Sequence, residues 1–232
     1  MRTEFLKLRR SLVWPVVLGL PWLPGVLNLL IFQAPERRTA EWADVLRNGP
    51  STWFLLLMPL VMSLLVAQVT TLEHSSGGWR LLFSAPQPRS RVVWRKIGVL
   101  LTLSLLMTAL MLAGVAAGAW LLSGTLTGMP DWGTFLGRGL VGWAASLALL
   151  LITLVAALCF PSFLAPLGLG MAATVVTFVV INSEWGRWWP WALPTLTSVQ
   201  PVQESVPLLA YGLGLSLLAA LAALWEVARR DA

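Results

Sequence analysis

Six apolar stretches long enough to cross a bilayer dominate this sequence, at roughly 12–32, 52–72, 97–123, 139–160, 162–182 and 206–226. A hydrocarbon core about 30 Å thick takes about 20 consecutive apolar residues of helix. Inside it, each backbone N–H and C=O must find its partner within the protein, and a helix does this within one segment. Charged residues make up only 11% of the chain and hydrophobic ones 57%. A water-facing domain carries about 25% charge, so lipid must be the solvent for most of these 232 residues. The expectation is an all-α polytopic membrane protein: one transmembrane domain over 1–232 with six transmembrane helices.

The placement of charge sets the orientation. With both termini in the cytoplasm, the inner pieces hold Arg2, Lys7, Arg9, Arg10, Arg80, Arg89, Arg91, Arg95, Lys96, Arg229 and Arg230. The outer pieces hold Arg37, Arg38, Arg47, Arg138 and Arg187. Eleven against five satisfies the positive-inside rule, and the reverse topology violates it. The basic start before Leu12 resembles a signal peptide, but the apolar run continues to about Phe32 with no small-x-small site behind it. An uncleaved first helix is expected.

Breakers and aromatic residues add detail. Pro15, Pro21, Pro24, Gly19 and Gly25 crowd the first stretch, whose freed carbonyls need neighbouring helices or water, so it should face protein or a cavity. Gly114 and Gly118 form a GxxxG, a mark of close helix packing within one chain or between two. Thr39 followed by Trp42, Val45 and Leu46 reads as an N-cap and one apolar helical face, expected to lie on the outer leaflet. Trp185, Trp188, Trp189 and Trp191, in the outer segment 183–205, fit an interfacial belt, with a substrate-contacting cap as the alternative reading.

Several chemistries are excluded. No GxxxxGK[ST] phosphate loop is present, so ATP is not bound in that manner. The single histidine, His74, rules out an HExxH metal site. His74 beside Ser75 and Ser76 lacks the orienting acid and oxyanion hole of a serine triad. Neither a catalytic residue nor a metal ligand is assigned, and basic residues in short clusters do not make a nucleic-acid stripe. Within the six stretches Glu226 is the only acidic or basic residue, whereas ion-coupled transporters keep charged groups at membrane depth. Energy for uphill transport is therefore expected from another subunit.

The inner loop Glu73–Lys96 carries the strongest local signal. From Ser75 to Ser84 it reads as a short amphipathic helix with Trp79, Leu82 and Phe83 on one face and Arg80 elsewhere. Pro86 ends it and Pro88 blocks an early restart. Read plainly, this is an interfacial helix anchored by tryptophan and anionic lipid; read functionally, it is a knob that docks into a partner.

The pattern Glu73, Gly77, Trp79, Leu81–Leu82, Pro86, Arg89, Lys96 resembles the cytoplasmic coupling segment of ABC-2 type transporter permeases. It is similar in particular to the bacterial branch tied to lantibiotic immunity and bacitracin-type peptide resistance. Glu4, Lys7, Arg9 and Arg10 before the first stretch resemble that family's interfacial elbow helix. The doubled Gly77–Gly78 departs from the pattern and would shorten the coupling helix.

The resemblance implies a permease in the bacterial cytoplasmic membrane, with no cofactor and no catalysis of its own. Its partners would be a cytoplasmic ATPase dimer holding ATP and magnesium, and a second permease, identical or different. An amphipathic substrate such as a bacteriocin-like peptide or antibiotic would be exported. The rival readings are the membrane-bound binding component of an ATPase-coupled uptake system and a membrane-embedded enzyme.

Overall fold

The computed structural model describes residues 13–33, 40–75, 89–160 and 162–229. Among these, all regular structure is helical: α1 Val13–Gly19, α2 Leu23–Phe32, α3 Trp42–Thr52, α4 Met58–Ser75 and α5 Arg89–Leu121 come first. They are followed by α6 Trp132–Cys159, α7 Leu164–Val180, α8 Leu193–Val199 and α9 Val202–Arg229. A 3-10 turn, Leu20–Trp22, joins α1 to α2, and a π turn, Trp53–Leu57, joins α3 to α4.

Among the described residues, five helical stretches are long and apolar enough to cross a membrane: Val13–Phe32, Trp42–Thr70, Ser90–Leu121, Trp132–Cys159 and Gln203–Arg229. The expected stretch 162–182 becomes the 17-residue α7, roughly 25 Å long at 1.5 Å per residue and shorter than the others. Two stretches grow at their ends. The helix expected at 97–123 starts at Arg89, so Arg91, Arg95 and Lys96 lie on its first turns and not in a loop. The one expected at 139–160 starts at Trp132 and takes Arg138 into helix. There Asp131 caps the helix, accepting from the Thr134 amide at 3.0 Å and its hydroxyl at 2.6 Å. These bonds, the hydroxyl's first, hold the Asp131 carboxyl below its ordinary pKa.

The apolar face of α3 is not laid on a membrane surface. Trp42, Val45 and Leu46 are buried against the protein, and the N-cap is Glu41, whose amide donates to Asp44 Oδ2 at 3.2 Å. Thr39, the expected cap, lies outside the described residues. Two prolines explain the π turn. Pro50 and Pro59 have no N–H to offer the carbonyls one turn earlier. Between them the helix widens, and the Met58 amide bonds to Trp53 O, five residues back.

The crowded first stretch turns one face inward. Pro21, Pro24, Gly25, Asn28 and Phe32 are buried, while Leu18, Val26 and Leu30 are exposed, and so are Pro15 and Gly19. Gly25 answers the question left by the GxxxG, which packs within one chain. A Cβ on Gly25 would overlap the Gly114 carbonyl, and one on Gly118 would sit 2.9 Å from Gly25 O. Nearby, Asn28 Nδ2 donates to Val45 O at 2.9 Å, and Asn48 Nδ2 to Asn28 Oδ1 at 2.7 Å, tying α2 to α3.

The two ends of the bundle are distinct. Trp120 and Trp132 meet Trp42 edge to face, with ring centroids 6.2 and 6.0 Å from it, gathering the end of α5 with the starts of α3 and α6. At the opposite end the start of α5 meets α4, where Lys96 Nζ donates to Val69 O at 3.2 Å.

Candidate functional site

The loop expected to couple lies between α4, which runs to Ser75, and α5, which starts at Arg89. Glu73 falls in the last turn of α4, and Arg89 is the first residue of α5. Gly77, Trp79, Arg80, Leu82, Phe83 and Pro86 of the coupling segment lie outside the described residues, as do Glu4, Lys7, Arg9 and Arg10 of the expected elbow. What the structure adds is the base on which that loop stands. Lys96 is buried to 1% exposure, and its bond to the Val69 carbonyl joins the two helices that flank the loop. A buried ammonium must be satisfied by hydrogen bonds or paired charge, so this contact fixes the spacing of α4 and α5 at the root of the loop. Glu226, near the end of α9, is also buried and pairs with Arg229 at 2.5 Å.

The segment 183–205, expected on the outer side, is not a surface loop. After the 3-10 turn Glu184–Trp188 the chain dives back into the bundle as α8, where Leu193, Pro194, Thr195, Thr197 and Ser198 are buried. A Cβ on Gly212 would touch Leu193 Cδ1 at 3.4 Å and Ala145 O at 3.7 Å. Ala145 is thirteen residues into α6, and Gly212 ten into α9. At 1.5 Å per residue, α8 therefore reaches roughly 15–20 Å below the starts of α6 and α9. Irregular backbone at such depth is tolerated where protein buries it.

This dip divides the four tryptophans expected in a belt. Trp185 and Trp188 are exposed, at 75% and 59%, as a belt requires. Trp191 is 4% exposed and belongs to the core. Trp189 is half-buried, its Nε1 donating to Thr177 Oγ1 at 2.9 Å, and so pins α7 to the entry of α8.

Between the end of α7, the Glu184–Trp188 turn and the facing sides of α8 and α9 opens a cavity of about 560 Å³. Arg187 and Glu204 supply opposite charges, Asn182 and Gln200 supply amides, and Trp188 with Tyr211 supplies an aromatic wall. The wall is fixed: Tyr211 OH donates to Trp188 O at 3.1 Å, and the two rings meet edge to face with centroids 5.6 Å apart. A concave site with an apolar body and a few convergent polar groups suits an amphipathic molecule.

Four buried polar atoms find no partner among the described residues: Trp53 Nε1, Trp191 Nε1, Thr195 Oγ1 and Arg138 Nε. The first three belong to the π turn, the approach to α8 and α8 itself, and α8 touches the π turn. Sequence reasoning passed over Asn28, whose signal was a carboxamide inside an apolar run, and the depth of Thr195. It placed Lys96 at the loop's end without seeing that it is buried.

Over residues 1–179 the chain matches a family described as ABC-2 family transporter protein, a match that ends before the outer segment and α9. No curated protein and no solved structure matches the chain. With more than half its length in that match and five helices able to cross a membrane, the chain belongs to the ABC-2 transporter family, as a multi-pass membrane permease component of an ABC transporter that works with an ABC ATPase.

Proposed function

We propose that this chain forms the pathway of an exporter for amphipathic molecules, such as bacteriocin-like peptides or antibiotics, and serves self-immunity or resistance. The observation that carries the reading is the outer cavity, which sets Arg187 and Glu204 beside a Trp188–Tyr211 wall. A substrate with charged groups on an apolar body meets both kinds of surface there.

In this reading the chain sits in the bacterial cytoplasmic membrane with both termini inside. It spans six times, with α7 as the short span, beside an identical or different second permease. ATP and magnesium belong to a cytoplasmic ATPase dimer, and this chain catalyses nothing. The elbow around Glu4–Arg10 lies on the membrane. The loop around Trp79 docks on the ATPase, whose closure moves α4 and α5 through the base held by Lys96.

The test uses the complete transporter in proteoliposomes, with ATP supplied on the ATPase side and a cationic amphipathic peptide as substrate. ATP-dependent movement of the peptide away from that side is expected. Trp188→Ala should slow it several-fold while leaving assembly with the ATPase intact. Movement in the opposite direction, or none for peptides and amphipathic antibiotics alike, refutes the reading.

A further inference from the structure

A second, smaller cavity lies between α3 and α6, with a volume of about 200 Å³. Its lining includes Arg47, Arg138, Asp131, Thr134 and Phe135. The acidic group is already committed: both Asp131 oxygens accept from Thr134, one from its amide and one from its hydroxyl. The guanidiniums are not. Arg138 is near enough to help lower the Asp131 pKa, yet among the described residues neither guanidinium makes a hydrogen bond or ion pair, and Arg138 Nε is buried with no acceptor. A desolvated guanidinium N–H left without an acceptor is costly, so the cavity asks for an anion with several oxygens.

Depth indicates which anion. Arg47 is five residues into α3 and Arg138 six into α6, just below the cluster of Trp42, Trp120 and Trp132. Of these, Trp120 is exposed, and an exposed indole favours the headgroup level, where phosphate is the abundant anion. Arginine's planar fork matches phosphate oxygens in bidentate fashion.

We propose that Arg47 and Arg138 form a phosphate-binding site at the level of the lipid headgroups. The phosphate is carried by a lipid or is free in solution. The site is separate from the 560 Å³ cavity and does not depend on what the transporter exports.

Native mass spectrometry of the full chain in detergent, titrated with phosphatidylglycerol, inorganic phosphate and a phosphate-free glucosyl diacylglycerol, tests it. Phosphatidylglycerol should be retained in preference to the glucolipid. Arg47→Gln and Arg138→Gln should each weaken retention about tenfold, the scale of one charge-assisted hydrogen bond. Arg91→Gln, at the opposite end of the bundle, should leave it unchanged. Retention of inorganic phosphate with the same dependence on Arg47 supports the site and assigns it to a free anion. Arg47 is exposed, so its variant keeps the test valid if Arg138→Gln fails to fold. Equal retention of both lipids, loss of neither in Arg47→Gln, or no phosphate-bearing adduct at all overturns the proposal.

Discussion

Replacing Gly25 by alanine should loosen the bundle, whereas the same change at Gly137 should tighten it. A Cβ on Gly25 overlaps the Gly114 carbonyl, a backbone group on a neighbouring helix that cannot swing aside as a side chain can. The first stretch must then back away from α5. Overpacking of this kind costs about 1–3 kcal/mol, partly offset by the better helix propensity of alanine, about 1 kcal/mol. At Gly137, inside α6, a new Cβ meets nothing within 4 Å, so only the propensity gain of up to about 1 kcal/mol remains. The two variants should therefore differ by roughly 2 kcal/mol in opposite directions from the parent. Melting of the purified protein in detergent, followed by circular dichroism, reads this as a shift of a few degrees each way. A Gly25→Ala protein as stable as Gly137→Ala would refute the close contact of Gly25 with Gly114, and with it the placement of the GxxxG inside one chain.

The other expectations concern orientation, docking and α8. A cysteine at Ser123, exposed between α5 and α6, should react with membrane-impermeant thiol reagents in intact cells and one at Ser90 should not; reversed labelling would overturn cytoplasmic termini. Trp79→Ala should release the ATPase on co-purification, or uncouple its hydrolysis from transport, by removing an anchor worth about 2 kcal/mol; unchanged association and transport in a Trp79→Ala, Phe83→Ala double variant would rule out docking there. Thr195→Val removes a buried hydroxyl with no partner among the described residues and should raise stability by about 1–3 kcal/mol; a loss of stability in thermal melts would mean that the hydroxyl is hydrogen-bonded.

What the sequence made legible is what hydropathy can see. The apolar stretches became helices because in lipid a continuous apolar segment has no other way to satisfy its backbone. Helix starts were harder. Charge made Arg89–Lys96 read as loop, yet a helix tolerates basic residues on its first turns, and Lys96 is accommodated by the Val69 carbonyl on another element. α8 was illegible for a related reason. Pro194, Thr195, Thr197 and Ser198 fall within the segment 183–205 expected between two spans, but Thr197 Oγ1 donates to Leu193 O at 2.8 Å and Ser198 Oγ to Thr195 O at 2.8 Å. Hydroxyls that return to their own helix can be buried, and periodicity gives no sign of it. The tryptophans divided likewise: their shared composition suggested a shared belt, while the dip of the chain took Trp191 into the core.

These placements connect the inner loop to the outer cavity through one physical path. From Trp42 to Ser75 the chain is an unbroken rod of α3, the π turn and α4, about 50 Å long at helical rise. Its inner end is the root of the loop proposed to meet the ATPase, and its midpoint, the π turn, touches α8. A uniform α-helix would pass a push to its far end. A π turn bounded by Pro50 and Pro59 has fewer backbone bonds to break there, so bending concentrates at the level of α8. α8 in turn forms one wall of the 560 Å³ cavity through Leu196. The unpartnered Trp53 Nε1, Trp191 Nε1 and Thr195 Oγ1 belong to these same elements. An arrangement that leaves buried donors unsatisfied is more easily exchanged for another than a fully bonded one. On the proposed mechanism, that exchange is how movement at the ATPase reshapes a cavity on the far side of the membrane.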